Sequence, residues 1–99
     1  RDFVSMHDIV TAHLECIHQK KNKKFWNRIF NVGINKGLSV LQIIKECNKF
    51  IKYKIRYKLI ENNEGEIEKS IADNSQFLKY SNWKPIFTKS NKIVRSFFL

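Results

Sequence analysis

The 99-residue sequence predicts an α/β fold. Apolar residues recur at helical spacing in some segments. They alternate, or cluster with β-branched and aromatic residues, in the segments between. A glycine-containing turn also runs directly into a doubly signed helix start. In chain order the expected elements are β-α-β-α-β-(β)-α-α, which fits neither an all-α nor an all-β chain.

Residues 2–5 form a short apolar strand candidate. His7 to about Lys20 reads as a helix, because Ile9, Val10, Leu14 and Ile17 recur at helical spacing and Ser5 or Asp8 can cap the start. Lys20 to Asn27 is a basic loop whose lysines suit the negative end of that helix. Trp26 to Val32 mixes aromatic and β-branched residues and reads as a strand. Gly33 to Gly37 is the turn. Ser39 and Gln42 then make a capping box, with Leu38 and Ile43 at the positions of a hydrophobic staple. Val40, Leu41, Ile44 and Cys47 are expected to continue a buried stripe to about Phe50.

Lys54 to Ile60 alternates, with Ile55, Tyr57 and Leu59 on one face and Arg56 and Lys58 on the other, the pattern of a half-buried strand. Glu61 to Glu66 is a polar loop around Gly65, and Ile67 to Ala72 a short extended piece. Asp73, with Gln76 three residues on, is expected to cap a short helix to about Tyr80. Trp83 and Pro85 end that unit. Thr88 starts a last helix in which Ile93, Val94, Phe97 and Phe98 share a face.

Composition is that of a globular domain, 42% hydrophobic and 13% aromatic, with no repeat and no low-complexity tract. A domain of this size buries only a little over about 60% of its unfolded surface, so modest stability is expected. No apolar run approaches the ~20 residues of a membrane span. Residues 1–20 carry charges and histidines throughout, which does not read as a secretory leader. The net charge of +10 comes mostly from lysines scattered along the chain; only Lys20, Lys21, Lys23 and Lys24 cluster. Scatter of this kind fits codon bias toward Lys, Asn and Ile better than a nucleic-acid footprint. A small basic nucleic-acid module using this loop with Phe25 and Trp26 is the alternative of a different class. Cys16 and Cys47 lack C-x-x-C spacing and are expected to be reduced, buried thiols in a cytosolic protein. His7, His13 and His18 are six and five residues apart, which does not align two imidazoles on one helical face, so no metal site is expected.

Four short motifs then occur in a telling order. Arg1 to His13 (RDFVSMHDIVTAH) resembles the R-D-Y/F-I/V-x-V-x-D motif of the extended short-chain dehydrogenase/reductase superfamily, the NAD-dependent nucleotide-sugar epimerases and dehydratases. Phe30 to Leu41 (FNVGINKGLSVL) resembles its Y/F-N-L-G-x-G-x-G-x-S-V-L motif. Asn63 to Glu66 (NEGE) falls where the family has R-P-G-D or R-E-G-D. Ala72 to Ser75, followed by Asn82 to Pro85, resembles the closing A-D-x-S-K and W-x-P. The match runs from Arg1 to about Phe98 and is most similar to the UDP-hexose 4-epimerase branch.

The resemblance implies the C-terminal substrate-binding part of such an enzyme, lacking most of the Rossmann domain, with residues 1–99 as one fragment. The start at Arg1, inside a motif, agrees with that expectation. Trp26 to Val32 would then join the sheet of the missing domain. NAD and the catalytic Tyr-x-x-x-Lys pair would lie in that domain, so the chain alone is expected to be inactive. Tyr80 and Lys84 have the spacing but sit in the closing motif. The family role of Arg1 is contact with the phosphates of a UDP-sugar, for which a guanidinium fork is suited. Glu66 matches the acid that accepts from the ribose hydroxyls. Asn63 stands in place of a second phosphate-binding Arg, and Ser70 in place of a substrate-contacting Tyr. The parent would be a cytoplasmic homodimer. A related nucleotide-sugar dehydratase or decarboxylase is the nearer alternative.

Overall fold

A computed structural model describes residues 1–98. Four helices run along them: α1 (Met6–His18), α2 (Val40–Cys47), α3 (Ser75–Tyr80) and α4 (Ser90–Ser96). Two helix starts are those the sequence signals. Ser5 is the N-cap of α1, its Oγ accepting from the Asp8 amide at 3.0 Å. At α2 the full capping box is present: Gln42 N–H donates to Ser39 Oγ at 3.1 Å, and Ser39 N–H donates to Gln42 Oε1 at 2.7 Å. The staple is present as packing, with Leu38 buried and Ile43 against the same cluster.

The α/β expectation is corrected: among the described residues there is no β-strand. Residues 2–5, 28–32, 54–60 and 67–72 are extended or irregular, and none of them forms a ladder. The physical reason is that alternation specifies a face, whereas a strand also needs a neighbour for its backbone groups. Within 54–60 the amide of Ile55 donates to a side chain, Asn48 Oδ1, at 2.9 Å. Trp26 is not extended, because its N–H donates to the Asn22 carbonyl in a turn, and Asn27 takes φ +73°.

Burial departs from the expected stripes as well. In α1 the covered side is Asp8 and Ala12, while Val10, Leu14 and Ile17 are exposed. α2 buries no residue completely, and Val40, Leu41 and Phe50 are exposed. Tyr57 and Leu59 are exposed, so 54–60 is not half-buried. α3 has Asn74 rather than Asp73 as its N-cap; Asp73 accepts from the Ser75 amide at 3.0 Å, one turn position earlier. α4 starts after Lys89 rather than Thr88, and of its expected face Ile93 and Val94 are buried while Phe97 and Phe98 are exposed. Both cysteines are free thiols and only partly buried. Phe25 is buried, so it is not available as a stacking platform.

Two small cores result. Ala12, Phe25, Phe77 and Trp83 form one, with Cys16, Phe30, Val32 and Tyr80 against it. Its aromatic rings meet at 4.8 Å (Phe25–Phe30), 5.3 Å (Phe30–Phe77) and 5.1 Å (Phe77–Trp83). Ile34, Leu38 and Ile93 form the other, where α2 packs on α4. Buried Asp8 joins α1 to the 83–87 segment. Its carboxylate accepts from the amides of Ile86 (2.9 Å) and Phe87 (3.0 Å), and its carbonyl from Trp83 Nε1 (3.1 Å).

The molecule is a slab of 49 × 36 × 15 Å with a radius of gyration of 16.2 Å. A compact chain of this length would have about 13 Å. Its accessible surface is 8149 Å², against about 5,900 Å² for a compact globular protein of the same mass.

Candidate functional site

Arg1, Gly33 and Ala72 come together although they are distant in sequence. Arg1 and Leu38 exchange two backbone bonds, Leu38 N–H to the Arg1 carbonyl at 2.8 Å and the Arg1 nitrogen to the Leu38 carbonyl at 2.9 Å. The next residue fixes the rest. Asp2 accepts from the amides of Ile34 (2.9 Å), Asn35 (2.9 Å) and Ala72 (3.2 Å). Asn74 Nδ2 donates to the Gly33 carbonyl at 2.8 Å. The glycine turn, the first residues and the start of α3 are thereby held as one unit.

A cleft of about 530 Å³ opens on this unit. Its apolar part is Val32, Ile71 and Ala72, and the polar groups at its wall are Arg1, Asn31, Ser70 and Asp73. Asp2 also borders it, but its carboxylate is occupied by the three amides. Among the described residues no carboxylate pairs with Arg1. The Ser75 side chain and then the Ser75 amide, both donating to Asp73, hold its carboxyl below the usual carboxylate range. The cleft is therefore electrostatically polarised, with a cation at Arg1 and an anion at Asp73. An anionic ligand group is favoured at the first and a hydroxyl-bearing group at the second.

Of the residues the sequence singled out, Arg1 and Ser70 share this cleft. Asn63 and Glu66 are not among its lining; they lie on the exposed 61–66 loop. There Asn63 Nδ2 donates to Glu66 Oε1 at 3.1 Å, around Gly65 at φ +87°. Asp2, Asn31 and Asp73 also line the cleft, beyond the residues the motifs mark. Asp2 is adjacent to Arg1 in the same motif, which is the signal that could have marked it. For Asp73 the sequence signals only a helix cap.

The spacing of Tyr80 and Lys84 gains no support from geometry. The Tyr80 ring packs on the Phe25–Phe77 core, with the Arg28 guanidinium 3.9 Å from its centroid.

No family model matches the chain, and no solved structure matches it. Curated proteins do. UDP-glucose 4-epimerase of Bos taurus is 31% identical over 83 residues, which is 84% of this chain and 24% of that protein. UDP-glucose 4-epimerase of Dictyostelium discoideum is 29% identical over 84 residues, 85% of this chain and 24% of that protein. UDP-arabinose 4-epimerase 1 of Arabidopsis thaliana is 30% identical over 83 residues, 84% of this chain and 19% of that protein. The chain thus spans about a fifth to a quarter of the length of the curated relatives it matches. In sequence, motif order and extent of match, the chain is homologous to the C-terminal part of the UDP-sugar 4-epimerases.

Proposed function

We propose that this chain is the nucleotide-sugar-binding portion of a UDP-glucose 4-epimerase, the enzyme that interconverts UDP-glucose and UDP-galactose. One observation carries the reading: Arg1, which pairs with no carboxylate among the described residues, lines a cleft that it shares with Ser70. The relatives named above are 4-epimerases of UDP-glucose and UDP-arabinose, so what they have in common is UDP, the part this cleft would hold.

In this reading Arg1 donates two parallel N–H bonds to pyrophosphate oxygens, each charge-assisted bond contributing about 1.5–3 kcal/mol. Ser70 donates a hydroxyl to the same group. It is shorter than the family Tyr and leaves room that the substrate or a water fills. Glu66 would accept from the ribose hydroxyls, exchanging its present bond from Asn63 for them. Asn63 brings no charge, so Arg1 alone supplies the cation and UDP affinity is modest.

NAD is the cofactor of the proposed parent. The residues of this chain do not fit it. The space a Cβ would occupy at Gly33 is filled by Ala72 Cβ and Asp2 Oδ2, each at 2.7 Å, and at Gly37 by Ile71 Cδ1 at 2.8 Å. These glycines admit protein against protein rather than a pyrophosphate. The cofactor and the acid–base pair would belong to the remainder of the parent. The extended 28–32 part of the Trp26–Val32 segment, which carries the exposed Ile29, would meet that domain's sheet.

Calorimetric titration of the 99-residue chain with UDP, UMP and uridine tests the reading. The expected order is UDP tightest and uridine without measurable heat, because the second phosphate completes the guanidinium fork. Equal affinity for UDP and uridine would overturn it.

A further inference from the structure

Asp73 stands between two anchored neighbours. The Ala72 amide donates to Asp2 at 3.2 Å. Asn74 is buried, and its Nδ2 donates to the Gly33 carbonyl at 2.8 Å. Asp2 follows Arg1 directly, and the Arg1 backbone is itself paired with Leu38. The backbone that carries Asp73 is thus fixed relative to Arg1, while the residue stays exposed on the cleft.

The two acids of the lining differ in what they can still accept. Asp2 Oδ1 takes the Ile34 amide, and Oδ2 takes those of Asn35 and Ala72. Asp73 accepts from Ser75, two residues on. A carboxylate offers about four lone-pair sites, so Asp73 keeps capacity for a ligand's hydroxyls. It is also an anion at neutral pH, since Ser75 holds its carboxyl below the usual range. Among the described residues, Arg1 is the one cation that lines the cleft.

We propose that Asp73 determines which sugar the cleft takes: it accepts from the hydroxyls of a neutral hexose and, as a fixed anion, turns away a sugar that carries a carboxylate. The proposal rests on the nucleotide-sugar reading of the cleft. In that reading the pyrophosphate meets Arg1 and Ser70, and the ribose meets Glu66. Ser70 falls between Glu66 and Asp73, and no helical residue separates them. The two acids therefore lie to either side of the phosphate position along the chain. The ribose takes one side, which leaves the hexose to the other. A neutral hexose brings hydroxyl donors to Asp73. A uronic sugar brings a second carboxylate, and like charges that close in a partly solvated cleft oppose binding by about tenfold or more.

Calorimetric titration of the 99-residue chain and of Asp73→Asn with UDP, UDP-glucose and UDP-glucuronate tests it. The Asn carbonyl can still accept from the Ser75 amide, and circular dichroism checks that the variant keeps its helices. The unsubstituted chain should bind UDP-glucose about tenfold or more tighter than UDP-glucuronate, and Asp73→Asn should narrow that ratio to about threefold or less. The affinity for UDP, which lacks the sugar, should change less than that for either nucleotide sugar. Binding of UDP with no preference between the two sugars would overturn this proposal alone. So would a preference that Asp73→Asn leaves intact, or a loss that falls equally on all three ligands. A chain that binds none of them would overturn the nucleotide-sugar reading, and this proposal with it.

Discussion

The carboxylate of Asp2 stands where Gly33 would carry a side chain: Oδ2 lies 2.7 Å from the ideal Cβ position. From there it accepts the amides that follow, Ile34 and Asn35, together with that of Ala72. The glycine is needed here for close approach, and the approach is what lets one acid tie three parts of the chain.

Gly33→Ala should therefore destabilise by about 1–3 kcal/mol, because the new methyl overlaps Ala72 Cβ as well as the acid. Urea unfolding followed by circular dichroism measures it. Asp2→Ala should cost a similar amount, through amides left without an acceptor. In the double variant the two effects should be less than additive, since one loss makes room for the other change.

Asp8→Ala should cost more, about 3 kcal/mol or above. It strands two amides, Ile86 and Phe87, in a position where the carboxylate is fully buried. In a chain of modest stability that is enough to unfold a large fraction of molecules. Tryptophan fluorescence at Trp83, which donates to the Asp8 carbonyl, should shift toward the solvated value. An unshifted spectrum with native melting would contradict the assignment of Asp8 as the joint between α1 and the 83–87 segment.

Ser39→Ala should cost about 1 kcal/mol, with Gln42→Ala smaller, because both bonds of the capping box sit at an exposed helix start. Amide exchange should rise at Gln42 and Ser39 and remain unchanged in α1.

Glu15 gives a pH prediction with a definite sign. The Gln19 side chain first, then the Asn82 amide and the nearby His18, hold its carboxyl below the ordinary value of 4.5. The folded state therefore releases that proton more readily than the unfolded chain. The associated stability is fully present above 4.5 and is lost as pH falls below it toward the folded-state value. Glu15→Gln should remove that part of the acid-side slope in thermal melts between about pH 5 and pH 3, and leave the slope above pH 6 unchanged.

The helices were legible where local chemistry sets them. Ser5, Ser39 and Gln42 announce their helices because a cap bond closes within three residues. What depends on distant partners was not legible. Ile55, Tyr57 and Leu59 show the period of a strand, but nothing in that period says whether another strand is present to pair with. Val10, Leu14 and Ile17 mark an apolar face of α1; the face that is covered was decided instead by Asp8 and Glu15, whose partners lie at 82–87. At the site, Arg1 and Ser70 were identified by motif order and do share a cleft. Asn63 and Glu66 lie on a loop whose only internal restraints are short-range bonds, Asn63 to Glu66 and the Glu66 amide to the Asn63 carbonyl. Motif spacing does not say where such a loop rests.

The placement of UDP on the Arg1 cleft is tested most directly by amide chemical-shift mapping of the chain during a UDP titration. The account predicts that the largest shifts fall at Ser70, Ala72 and Asp73 and vanish in Arg1→Gln. Shifts centred elsewhere, or unchanged in Arg1→Gln, would contradict it.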